Sequence, residues 1–103
     1  MQDNNFIFPS FNRVACEYLD SLNKDRGWNL QHALRGGEYY LNDLGYWVDG
    51  YDVNKNIVVE YDEKYHNKPS QMLRDKRRMS EIKEYLGCRF YRYSAHKNEL
   101  NEY

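Results

Sequence analysis

Apolar residues recur at helical spacing in two stretches of the chain and alternate at strand spacing in four. Phe11, Val14, Ala15, Tyr18, Leu19 and Leu22 stand at i, i+3, i+4, i+7, i+8 and i+11, which predicts a helix over residues 12–23. Pro9-Ser10 supplies its start and Gly27 its exit. A connector, extended or helical, follows over 28–34 and ends at Gly36-Gly37. Residues 38–41 then read as a strand that turns at Asn42-Asp43 into a second strand over 46–52. A third runs over 56–62. Pro69-Ser70 opens a second helix over 71–86, closed by Gly87 in the position that favours a left-handed residue. Its stripe is Met72, Met79, Ile82 and Leu86, and Asp75 falls within it. A last strand covers 88–93, and the polar tail from Ser94 should fray. The order is helix, three-stranded meander, helix, strand. One helix between the third and fourth strands lets them pair in parallel through a right-handed crossover.

The hairpin carries the chemistry. If its turn centres on Asn54-Lys55, facing residue numbers sum to a constant and Asp49 lies opposite Glu60. Opposed side chains share a face with Cβ atoms roughly 4.5–5.5 Å apart, so two like charges there destabilise the sheet unless a cation lies between them. Period-two alternation puts Val58, Glu60 and Asp62 on one face and Ile57, Val59 and Tyr61 on the other. Asp49, Glu60 and Asp62 with His66 therefore read as a metal site, and hard oxygen ligands suit magnesium or manganese better than zinc. A one-residue shift of the turn would break this pairing. Asp75, facing the sheet, needs a partner: a metal-bound water, or Arg74 or Arg78 at the edge of the stripe.

A chain of 103 residues makes one small domain, with frayed ends expected over 1–8 and 95–103. Hydrophobic content of 41%, including 11 Tyr and 2 Trp, favours a folded protein over a disordered one. Cys16 and Cys88 form no CxxC pattern and read as buried thiols in a reducing compartment. With no membrane-length apolar run and no signal-peptide start, a soluble intracellular protein is expected, in the cytoplasm or at the nucleoid.

The net charge of −1 conceals a division. Residues 1–63 hold 5 Lys/Arg against 11 Asp/Glu, and residues 64–97 hold 10 against 3. A basic segment beside a carboxylate cluster suits a phosphodiester substrate, the cations holding its backbone and the acids its metal. A merely solvated basic helix is the plainer alternative.

Asp49, then Glu60-Tyr61-Asp62, His66, Asp75 and Leu86-Gly87-Cys88-Arg89-Phe90 together resemble the Vsr-like branch of the PD-(D/E)XK nuclease superfamily. That branch includes very short patch repair endonucleases and phage homing endonucleases described by an EDxHD motif. Ala15-Cys16-Glu17-Tyr18, 29–34 and Gly36-Gly37-Glu38-Tyr39-Tyr40 are similar to phage- or virus-encoded members, so the likeness runs from about Phe11 to Tyr93. It implies an α/β fold: a small mixed sheet flanked by helices, with a restriction-endonuclease-like core. Asp49 would be the metal-binding aspartate and Glu60 a second ligand. His66 would be the general base or acid, with Asp75 orienting it or binding metal-linked water. Glu17 would be the helix glutamate, although it falls off its helix's apolar stripe, and Glu38 is the competing acid. The wider superfamily has lysine two residues after its glutamate. Here Asp62 holds that place, which raises the weight on His66.

The expected activity is metal-assisted hydrolysis of DNA, with Arg74, Lys76, Arg77 and Arg78 on the phosphate backbone and Arg89 and Arg92 as weaker candidates. A monomer would nick and a homodimer would cut both strands, and RNA is a second possible substrate. The rivals are a nucleic-acid-binding module without turnover and an acidic interaction domain with a basic partner.

Overall fold

The computed structural model describes residues 12–63 and 68–103. Two helices and six strands form a mixed four-stranded sheet and a separate two-stranded hairpin. The elements are α1 (Arg13–Arg26), β1 (Tyr39–Leu41), β2 (Tyr46–Val48), β3 (Gly50–Asp52), β4 (Ile57–Asp62), α2 (Pro69–Leu86), β5 (Arg89–Ser94) and β6 (Glu99–Glu102). The sheet order is β3-β4-β5-β6, with β4 and β5 parallel and the outer pairs antiparallel. Among the described residues, no helix is long and apolar enough to cross a membrane.

Asn12 caps α1 by accepting the Ala15 N–H at 3.2 Å, a contact worth about 1 kcal/mol in helices generally. Its inward residues Leu19 and Leu22 join Leu30, Ile57, Val59 and Tyr91 in one apolar cluster. Gly50 lies hard against it: a Cβ there would stand 3.1 Å from a Leu19 methyl, so any larger residue would make Leu19 give by a few tenths of an ångström. A second cluster on the opposite face of the sheet gathers Leu41, Val48, Tyr51, Val58, Ile82, Cys88 and Phe90 under α2. The expected alternation of β4 is present, odd residues under α1 and Val58 under α2.

Three expectations change. The strand predicted over 46–52 is broken at Asp49. Val48 packs under α2 and Gly50 on α1, so the chain turns over between them, and β2 pairs with β1 in its own sheet rather than extending the meander. The connector folds as a tight loop around the buried His32. The Leu34 N–H points at His32 Nδ1 (3.3 Å), which leaves the Nε2 proton for Asp20 Oδ1 at 2.7 Å. The tail expected to fray forms β6 instead, pairing from Glu99 against Ser94 to Glu102 against Tyr91.

The turn between β3 and β4 reaches across the sheet. Asp52 accepts the Lys55 and Asn29 N–H groups at 2.9 and 2.7 Å. Burial alone would push its carboxyl up, but these and the Asn54 N–H hold it below the ordinary range. Asn56, at a left-handed φ of 55°, accepts the Tyr51 hydroxyl and donates to the last-turn carbonyl of Leu86 at 2.8 Å. Its own carbonyl accepts the Arg89 N–H at 3.0 Å.

Candidate functional site

β3 and β4 run in the register predicted for the hairpin. Gly50 faces Val59, Tyr51 faces Val58 and Asp52 faces Ile57, so Asp49 is the next residue opposite Glu60. At that step the two carboxylates take over the ladder. The Asp49 N–H donates to Glu60 Oε2 at 3.1 Å, and the Tyr61 N–H donates to Asp49 Oδ2 at 2.8 Å. Each acid thus binds the backbone of the opposite strand, and the pair is fixed by main chain rather than by flexible side chains.

Glu60 is buried, Asp49 is half-buried, and the pair is short of positive charge. Burial, and then the Asp49 carboxylate, push Glu60 up to about 7 against the partial relief of Arg78. Asp49 is raised by burial; the Tyr61 N–H lowers it, Glu38 and Asp62 raise it further, and Arg78 offsets part of that. Glu38 is also raised, by burial and then by Glu60. The carboxylates of Asp49, Glu60 and Glu38 therefore share the guanidinium of Arg78, while Asp62 adds its charge to Asp49 from its own pair with Arg92. Such a set gains from losing a proton only if a further cation arrives.

That guanidinium belongs to Arg78. Its Nε donates to Glu60 Oε1 at 3.0 Å, its terminal nitrogen to the Trp47 carbonyl at 2.5 Å, and its carbon stands 4.6 Å from the centre of the Tyr46 ring. The expectation that Arg78 grips a nucleic-acid backbone is corrected on this ground: Glu60 and Trp47 already use its fork. The sequence held a signal for it, since Arg78 lies four residues before the buried Ile82 and three after Asp75, on the inward side of α2.

The remaining site residues divide. Glu17 lies on the exposed side of α1, and α1 packs on the other face of the sheet, so Glu38 and not Glu17 joins the acids. Asp62 faces α2 as expected, yet it stands two residues along the strand from Glu60, about 6.5 Å of rise, and pairs with Arg92 at 3.7 Å. Among the described residues no three His, Cys, Asp or Glu side chains come close enough to hold a metal by themselves, so the expected trio of Asp49, Glu60 and Asp62 reduces to the first two. Two carboxylates still fit magnesium, which commonly takes one or two from protein and the rest of its shell from water and phosphate.

Asp75 accepts the Gln71 amide at 3.0 Å, and Arg74 donates to the same Gln71 at 2.8 Å, so this acid is tied along its own helix. Arg74, Lys76 and Arg77 are exposed on α2. Arg89 is engaged by Glu102 at 2.9 Å at the far end of β5. His66 lies outside the described residues. On the outer face of the β1–β2 hairpin, Tyr40 and Trp47 form an exposed cross-strand aromatic pair with ring centres 4.6 Å apart.

No protein-family model, curated protein or solved structure matches the chain.

Proposed function

We propose that this chain is a metal-dependent endonuclease that hydrolyses DNA phosphodiester bonds, built on the restriction-endonuclease-like core of the Vsr-like branch. The observation that carries the reading is the Asp49–Glu60 pair: two main-chain-fixed carboxylates, both raised first by burial and then by neighbouring acids, next to an exposed basic helix face. The order of elements, with β4 and β5 parallel on either side of α2, agrees with the fold that the resemblance implies.

Asp49 and Glu60 are the residues that would hold magnesium or manganese, and the bound ion would supply positive charge to the scissile phosphate. Arg74, Lys76 and Arg77 hold the flanking backbone, and the Tyr40–Trp47 pair offers a stacking surface for a base. His66 carries the proton in this reading. Arg78 keeps Glu60 oriented and partly neutralised until the cation binds.

The test is nicking of supercoiled plasmid with magnesium and with manganese, comparing wild type with Asp49→Asn and His66→Ala. Metal-dependent nicking lost in Asp49→Asn supports the reading, and wild-type protein that leaves plasmid intact under both metals refutes it. Cleavage of RNA in place of DNA would reassign the substrate.

A second reading has its own support. Arg78 already places a positive charge against Glu60, so the site could be closed by protein alone and serve a nucleic-acid-binding module without turnover. Calorimetric titration with manganese separates the two: binding that Asp49→Asn abolishes favours the nuclease, and no binding favours the module.

A further inference from the structure

Beside the acid pair, at the carboxyl ends of the parallel strands β4 and β5, a cavity of about 340 Å³ opens under the first turns of α2. Open α/β sheets bind ligands at this end of parallel strands, and the volume lies at the low end of the roughly 300–1,000 Å³ of small-molecule sites. Asp62 lines it, and the same carboxylate acts electrostatically on Asp49, so the cavity adjoins the Asp49–Glu60 pair.

Its chemistry is mixed in a particular way. Met72 and Met79 give it soft apolar walls, and Tyr103 adds an aromatic ring. Lys76, Lys97 and Arg92 bring positive charge, while Asp62, Asp75 and Glu99 bring acceptors. A bare polyanion would meet as much repulsion as attraction here. A ligand with one anionic group, a flat apolar body and hydrogen-bond donors would meet complementary groups throughout.

One side chain indicates where the anion goes. The Arg92 Nε is buried and, among the described residues, has no hydrogen-bond partner; Asp62 Oδ2, at 3.7 Å, is too far for one. The Nε itself has no surface that a ligand can reach, but Arg92 lines the cavity and its side chain is partly exposed, so a phosphate oxygen would be met by the outer nitrogens of this guanidinium. Ser94, two residues along the strand on the same face, offers a hydroxyl beside it.

We propose that this cavity takes one unpaired nucleotide, its phosphate on Arg92 and its base between the methionines and Tyr103. The proposal rests on the nuclease reading and narrows it to a substrate that is single-stranded, frayed or locally extruded next to the cleaved bond, because a base that stays stacked in duplex cannot enter a recess of this size.

The test is titration of the full chain in EDTA with dAMP, deoxyadenosine and inorganic phosphate, followed by NMR at the Arg92 side-chain Nε–H and the Ser94 amide. The expected result is saturable shifts with dAMP at both positions, and binding about tenfold weaker for either half of the molecule alone. Arg92→Gln should cost dAMP about tenfold and leave deoxyadenosine unchanged. Lys97→Ala, at an exposed position that should not disturb folding, should cost about twofold to threefold. Inorganic phosphate binding as tightly as dAMP, or no shift at Arg92 in folded protein, overturns the proposal. Protein that binds dAMP but never nicks DNA refutes the nuclease reading and leaves the cavity standing. Protein that nicks without binding dAMP refutes the cavity alone.

Discussion

On the α1 face of the sheet, Ile57, Val59, Tyr61, Tyr91 and Tyr93 meet Leu19, Leu22 and Tyr18 with apolar or aromatic groups, and its one charged strand residue, Arg89 at the start of β5, is paired with Glu102 at the edge. On the α2 face the same two strands begin with Val58 and Phe90 under Ile82 and then present Glu60, Asp62 and Arg92. Both faces are covered by a helix, so exposure does not explain the difference. The α1 face spends its burial on cohesion. The far half of the α2 face holds charge, Glu60 buried and Asp62 and Arg92 partly so, where apolar groups would pack at lower cost, and in the proposed nuclease reading the chemistry needs it.

The sharpest way to break the comparison is to neutralise one acid. Asp49→Asn keeps an oxygen for the Tyr61 N–H, so folding should be unchanged or slightly improved, while metal-dependent nicking falls at least ~100-fold. A large drop in melting temperature with activity retained would reverse the roles of the two faces.

Next comes the opposite experiment. Leu19→Ala, on the α1 face, should cost about 2–5 kcal/mol of stability, read as a lower urea midpoint, with nicking per folded molecule intact. Loss of activity at temperatures where the variant is fully folded would mean that the two faces are coupled.

The pH dependence of stability should belong to the α2 face. Glu60 is raised from an ordinary 4.5 to about 7, so between those values the folded state binds more protons than the unfolded one. The stabilisation from its proton is fully present below about pH 4.5 and is lost as pH rises through 7. In metal-free buffer, stability should therefore fall by up to about 3 kcal/mol between pH 5 and 8, and Glu60→Gln should flatten that profile. Urea titrations across this range check it. A wild-type profile that rises toward pH 8 would contradict the buried pair.

The smallest effects lie on the outer side of α2. Arg74→Ala and Arg77→Ala should each weaken DNA binding about twofold to threefold and reduce the salt slope of log affinity by about 1. Unchanged slopes would move the nucleic-acid surface elsewhere.

The register of the hairpin was legible because a short turn centred on Asn54-Lys55 and period-two alternation fix which numbers face each other; Asp49 opposite Glu60 followed from that alone. The break at Asp49 was not, since Val48 and Gly50 are both small enough for either face and only packing against Ile82 and Leu19 assigns them. Glu17 and Glu38 were equivalent as letters; the helix face decided between them. The strand β6 was hidden because Glu99, Asn101 and Glu102 are polar, and its pairing is dictated by the exposed edge of β5 rather than by its own side chains. Asn98, at a left-handed φ of 54° where the chain turns back, was the one available signal for it.

The position of Asn56 has a consequence for how fast the chain finds its fold. Parallel pairing of β4 with β5 cannot begin until residues 63–88 have closed into a loop, and such non-local contacts slow folding because closure is costly before it is rewarded. Asn56 stands at the mouth of that loop and bonds both the end of α2 at Leu86 and the start of β5 at Arg89. It therefore gives closure its first return. In a chevron, Asn56→Gly, which tolerates the same backbone conformation, should lower the folding arm more than it raises the unfolding arm. The opposite partition would place closure after the rate-limiting step. The residue that turns the hairpin would then set the pace at which the acid pair is sealed beneath its helix.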